Sequence, residues 1–188
     1  MPADARIDGE LDLVGHTRLL LLRAMKRNLA LELDVTIRPA VDADLDQLEW
    51  FGHQRAFRPH IAEVLARRRR GETELLVAIV NDFAVGRLGI DFTRRREKAL
   101  LWSFAVIPNL QGLGIGTALI GEAESLVRAR GLVVAEIDVS KDNPRAQALY
   151  ERLGYAIVDE RQEDWTYVDE SGRAVVVHDD DWVLRKEL

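Results

Sequence analysis

The chain contains no cysteine in 188 residues. This excludes a disulfide framework, a thiolate nucleophile and a cysteine-rich zinc site. Long apolar runs are also missing: a membrane-spanning helix needs roughly 20 such residues, and a stretch such as Leu19 to Leu22 is far too short. Nor is there an excess of positive charge. Lys and Arg number 26 against 32 Asp and Glu, a net charge of −6, which argues against a general nucleic-acid binder. Asp4, Asp8, Glu10 and Asp12 stand where a basic leader would be, so a cytoplasmic protein with no membrane partner is expected. No internal repeat or low-complexity linker interrupts the chain. With 47% hydrophobic and 31% charged residues, the composition is that of a folded domain with a sizeable core.

What the sequence does have is glycine in one place. Val106 to Thr117 reads as a strand that breaks at Pro108 into a loop containing Gly112, Gly114 and Gly116, and then opens an amphipathic helix. Free backbone N–H groups at the positive end of a helix dipole attract anions, and glycine lets the backbone come close to them. Three phosphate loops compete for this stretch. A P-loop requires Lys after its glycines, and none follows here. A dinucleotide loop requires G-x-G-x-x-G, whose third position falls on Thr117 or Leu119, although Asp138 stands at a suitable distance for a ribose-binding acid. The remaining pattern, Q-x-x-G-x-G, is matched by Gln111, Gly114 and Gly116.

A second segment, Asn143 to Tyr155, carries full helix punctuation. Asn143 is an N-cap, Pro144 fits the first helical position and Gly154 fits the stop. Ala146, Leu149, Tyr150 and Leu153 make one apolar stripe. The two segments together resemble the paired signatures of the GNAT superfamily of N-acetyltransferases: the acyl-CoA pyrophosphate loop, then N-x-x-A-x-x-L-Y-x-x-x-G-[FY] at Asn143, Ala146, Leu149, Tyr150, Gly154 and Tyr155.

The resemblance implies an α+β fold: a mixed central sheet of about six to seven strands flanked by helices. It implies an acetyl-CoA-dependent N-acetyltransferase, with a primary amine attacking the thioester directly in a ternary complex and with no metal. Acetyl-CoA would be a co-substrate, its pantetheine arm on the backbone of Phe104, Ala105 and Val106. The pyrophosphate would sit on Gln111, Gly112, Leu113, Gly114, Ile115, Gly116 and Thr117, with Asn143 as a further polar contact. Tyr150 corresponds to the residue that protonates the departing sulfur; an unperturbed phenol, with a pKa near ~10, is a donor at neutral pH and not a base. Many family members carry Glu on the fourth strand near the position that Trp102 occupies here, and Leu101-Trp102-Ser103 supplies no carboxylate. Asp91, Asp138, His53, His60 or a water chain remain open as the base. A non-catalytic acyl-CoA-binding module on the same fold is the alternative. The acceptor is a small-molecule or a peptide or protein amine, and a homodimer is compatible with the resemblance.

The elements expected around these motifs are a strand at Val35 to Arg38, a helix from about Asp42 to Phe51 and a second helix from Ala56 to Arg70. A hairpin of Leu75–Val80 and Ala84–Phe92 turns at Asn81-Asp82, followed by strands at Ala99–Val106 and Val133–Val139 with a helix from Thr117 to Arg130 between them. Two late strands flank Glu170-Ser171-Gly172. Residues 1–34 form an N-terminal extension in which Leu19, Leu22, Met25, Leu29 and Leu33 recur at helical steps, and Met25 is an alternative start; residues 35–188 form the main domain. Arg67 to Arg70 and Arg94 to Arg96 read as solvated helix ends or loops. Asp159, Glu160, Glu163, Asp164 and Asp179 to Asp181, near Trp165, Tyr167 and Trp182, form either an acidic surface or a wall that draws a cationic amine.

Overall fold

The computed structural model describes residues 33–50, 58–95, 97–168 and 172–188. The expected N-terminal helix, the Met25 start, the helix end at Phe51, the Ala56 boundary and the Glu170-Ser171 turn lie outside them. The described chain runs β1 (Thr36–Pro39), α1 (Leu45–Leu48), α2 (Arg58–Arg68), β2 (Thr73–Val80), β3 (Phe83–Arg95), β4 (Lys98–Val106), α3 (Ile115–Ala129), β5 (Val134–Ser140), α4 (Pro144–Arg152), β6 (Ala156–Val168) and β7 (Ala174–Glu187). The strands form one mixed seven-stranded sheet in the order β1-β2-β3-β4-β5-β7-β6. All neighbours are antiparallel except β4 and β5.

The first helix is shorter than its sequence suggests. A 3-10 turn at Asp42–Asp44 leads into only four helical residues, and Trp50 then turns left-handed at φ 44°. Tertiary bonds decide this. The Asp44 carboxylate accepts from the backbone N–H of Val41 and from Arg38, and the Trp50 indole N–H donates to the Ala84 carbonyl at 2.9 Å. The β2–β3 turn follows its Asn-Asp sequence, with both residues at positive φ (48° and 61°), as a two-residue hairpin turn demands.

The sheet is covered on both faces along its β1–β4 half. Leu48, Ile61, Val64 and Leu65 from α1 and α2 pack with Leu75, Val77 and Ala84, and Trp102 of β4 lies against this cluster. On the other face α3 buries Ile115, Leu119, Ile120, Ala123 and Val127, a spacing that keeps one stripe on the sheet. Gly86 makes room for it: a Cβ there would lie 3.1 Å from Leu119 Cδ1.

Candidate active site

β4 and β5 run parallel but pair only at Ala99↔Ala135, Leu100↔Glu136 and Leu101↔Ile137. Beyond Leu101 they part, while β3 follows β4 to Gly86↔Val106. The parting strands open a cleft of about 620 Å³ between Trp102–Val106 and Ile137–Ser140. Its β4 wall is bulged. Arg87 pairs with Ala105 and Gly89 with Trp102, so a single β3 residue faces two β4 residues, Ser103 and Phe104. Ser103 sits left-handed at φ 51°, a conformation that costs a side-chain-bearing residue about 1–3 kcal/mol and persists only when its surroundings enforce it.

The glycine loop closes one end of the cleft. Gly112 and Gly114 both have positive φ (84° and 88°), and a Cβ on Gly114 would meet nothing within 4 Å, so the loop backbone is bare. Gly114 is the N-cap of α3, and no side chain caps that helix start. The first-turn N–H groups are therefore open to an anion. Gly116 has a different reason: a Cβ there would lie 2.8 Å from Phe104 Cζ. The Gln111 side chain serves as a staple. Its amide donates to the Val106 carbonyl at 2.8 Å, and its oxygen accepts from Arg145 Nη1 at 3.0 Å.

α4 forms the opposite wall. Asn143 Oδ1 accepts from the Ala146 N–H at 3.1 Å, the N-cap bond expected from Asn-Pro. At the other end Gly154 (φ 92°) lets the Tyr155 N–H reach the Tyr150 carbonyl at 3.0 Å. Tyr150 is 4% exposed and still lines the cleft, its ring 6.0 Å from Phe104. Burial raises its pKa above the ordinary phenol value, so the hydroxyl keeps its proton.

Of the residues expected at the site, Phe104, Ala105, Val106, Gln111, Gly112, Gly114, Gly116, Thr117, Asn143 and Tyr150 all line this one cleft. Leu113 and Ile115 have side chains elsewhere, the former 59% exposed and the latter buried on the sheet side of α3. Ser103 and Arg145 also line the cleft, with no role expected of them, and so do Trp102 and the base candidate Asp138. Arg145 carries no sequence signal of its own; only the fold brings its guanidinium to the glycine loop.

Among the base candidates, Asp91 does not line the cleft. Burial would raise its pKa, but N–H bonds from Thr93 and Arg94 and a contact with Arg67 outweigh this and hold it low. Asp138 does line the cleft, with Arg95 at 2.9 Å and Arg161 at 2.6 Å on its carboxylate. His53 and the side chain of His60 lie outside the described residues. Arg95 is no solvated loop residue: its guanidinium also reaches the buried Glu136. Arg67 to Arg70 end α2 in ion pairs with Glu72, Asp91, Glu74 and Asp42. The acidic residues of β6 and β7 are partly answered locally. Lys141 bonds Glu160 and Asp180 and stands 4.5 Å over the Trp182 ring, and His178 lies 2.7 Å from Asp164. The side chains of Trp165 and Tyr167 lie outside the described residues.

The two parallel strands thus separate beside a glycine-started helix, and that arrangement is shared with a known family of acetyltransferases. The acetyltransferase (GNAT) family profile matches residues 37–155, well over half of the sequence. The chain belongs to the GNAT acetyltransferase family. It is 35% identical over 92 residues to an uncharacterized N-acetyltransferase of Methanocaldococcus jannaschii, covering 46% of this chain and 41% of that protein. It is 32% identical over 66 residues to the ribosomal protein bS18-alanine N-acetyltransferase of Haemophilus influenzae, covering 35% of this chain and 44% of that one. The matching stretch thus spans less than half the length of these curated relatives. The fold is similar to that of the crystal structure of the PaiA N-acetyltransferase of Thermoplasma acidophilum in complex with coenzyme A. That similarity has a TM-score of 0.64 at 17% identity, over 82% of this chain and 99% of that one.

Proposed function

We propose that this chain moves an acetyl group from acetyl-CoA to a primary amine by direct attack in a ternary complex. The observation that carries the reading is the cleft itself: β4 loses its β5 neighbour just where an uncapped glycine helix start and a buried tyrosine converge. The residues suit the carrier. The first-turn N–H groups of α3 and the Arg145 guanidinium favour a pyrophosphate. The unpaired edge of Phe104–Val106 suits an extended amide-bearing arm, as a neighbouring strand would. Bound there, the carrier supplies an activated thioester.

In the transfer, the amine nitrogen bonds the acetyl carbon as the carbon–sulfur bond breaks, and Tyr150 gives its proton to the departing sulfur and regains one from solvent. The proton leaving the amine goes to solvent through the cleft, because Trp102 offers no carboxylate and the Asp138 oxygens are held by two arginines. That saturated Asp138 is also what favours the second reading, a non-catalytic acyl-CoA-binding module. The acceptor class follows the amine-acetylating relative: the free amine of a peptide or protein, or a small molecule. Residues 35–188 are the unit proposed to do this, in the cytoplasm, with or without a second copy.

Calorimetric titration with acetyl-CoA, followed by thiol release on a panel of amines and amino-terminal peptides, tests the proposal. Binding with thiol release on one amine supports transfer. Binding without release on any acceptor supports the module, and no binding overturns both.

A further inference from the structure

The bulge in β4 has a holder. Arg87 of β3 is 4% exposed, and its Nε donates to Ser103 Oγ at 3.0 Å. The same guanidinium stands 4.8 Å over the Trp50 ring, with Nη1 3.5 Å from the Leu48 carbonyl. Trp50 and Ser103 both carry side chains in the left-handed region, at φ 44° and 51°, and one cation touches both. Burial lowers the pKa of Arg87 to about 10, so it keeps its charge at neutral pH. A buried cation is costly to maintain, and this one reaches the cleft through Ser103, which lines it.

We propose that Arg87 is a positioning residue: by bonding Ser103 Oγ it pins the left-handed bulge of β4, and thereby sets the backbone edge on which the acyl carrier is held. The inference rests on the acyl-CoA reading of the cleft. An unpinned strand has an alternative, since a serine released from Arg87 relaxes to an extended φ and the bulge migrates or straightens. Glycine adopts φ 51° without strain, so Ser103→Gly removes the need for the holder while leaving the bulge accessible.

The experiment is a double-mutant cycle read by acetyl-CoA affinity, with far-UV circular dichroism and thermal unfolding as controls. Arg87→Met in the parent chain is expected to weaken acetyl-CoA binding about tenfold, a coupling typical of hydrogen-bonded neighbours. In the Ser103→Gly background the same change should cost less than about threefold. Ser103→Ala, which keeps the strain and loses the oxygen, should behave like Arg87→Met. Equal losses in the two backgrounds would mean that Arg87 acts through general packing, and would overturn the proposal. If Arg87→Met does not fold, Arg87→Lys keeps the buried charge without the Nε donor, and the same two backgrounds decide. Failure of the parent chain to bind acetyl-CoA would instead remove the acyl-CoA reading itself.

Discussion

A Cβ built on Gly89 would fall 2.5 Å from Cε2 of Trp102, so the β3 backbone is bare where the indole of β4 lies across it. The pair explains how a tryptophan fits at the position where the family resemblance led to the expectation of a carboxylate. Gly89→Ala forces the indole to move within a well-packed cluster, and destabilisation of about 1–3 kcal/mol is expected. In a Trp102→Ala background the same change should cost little. Urea unfolding of the four proteins measures both; a full cost in each background would show that the indole is not what Gly89 accommodates.

The bare start of α3 yields a prediction about charge alone. Gly114→Asn and Gly114→Asp impose the same bulk at φ 88°, in open space, and differ by one negative charge. Asn tolerates this conformation and should bind acetyl-CoA within a few-fold of the parent. Asp, set at the positive helix end that the pyrophosphate would use, should bind at least about tenfold more weakly than Asn. Because the difference is electrostatic it should narrow as salt rises. Titration at two ionic strengths checks it, and equal affinities for Asn and Asp would remove the loop from the anion site.

Both signature segments were legible because their punctuation is local. Asn143, Pro144 and Gly154 each act within a turn of their own position, and Gly112 and Gly114 admit the positive φ that the loop takes. The sheet order near β5 and the presence of Ser103 and Arg145 in the cleft were not legible, because each depends on contacts distant in sequence; Asp138 could be named as a candidate, but not the two arginines on its carboxylate. The bulge had no sequence mark: serine is an unremarkable strand residue, and only Arg87, on another strand, gives its left-handed φ a cause. The early helix was over-extended for the same reason, since a bond from Trp50 to Ala84 ends it. The acidic residues of β6 and β7 could be counted in the sequence, but not the Lys141 that covers Trp182.

Tyr150 separates binding from chemistry. Tyr150→Phe keeps the ring contact with Phe104 and loses only the proton, so acetyl-CoA affinity should stay within about twofold while thiol release slows by about 10²–10⁴. An unaltered rate would exclude Tyr150 as the acid. The same substitution has a pH signature. Burial raises the folded pKa of Tyr150, so its contribution to stability is present below the unfolded value near ~10 and is lost as pH rises above it. Tyr150→Phe should therefore move alkaline unfolding to higher pH.

Glu136 governs the acid side. Its side chain is 3% exposed and bonded by Arg95, Lys98 and Arg185. Burial alone would raise its pKa, but the hydrogen bonds from the three cations outweigh this and lower it to about 2. The folded value lies below the unfolded one near ~4.3, so the stabilisation is present above the unfolded value and is lost as pH falls toward 2. Glu136→Gln keeps the shape and leaves three cations facing a neutral amide, which should cost about 3–5 kcal/mol at neutral pH. It should also flatten the fall in stability between about pH 5 and pH 2, since the group that titrates there is gone. Unfolding midpoints across that range decide. A variant as acid-sensitive as the parent would place the responsible carboxylate elsewhere, with Asp44 and Asp91, both held below the usual range by hydrogen bonds that outweigh burial, the next to examine.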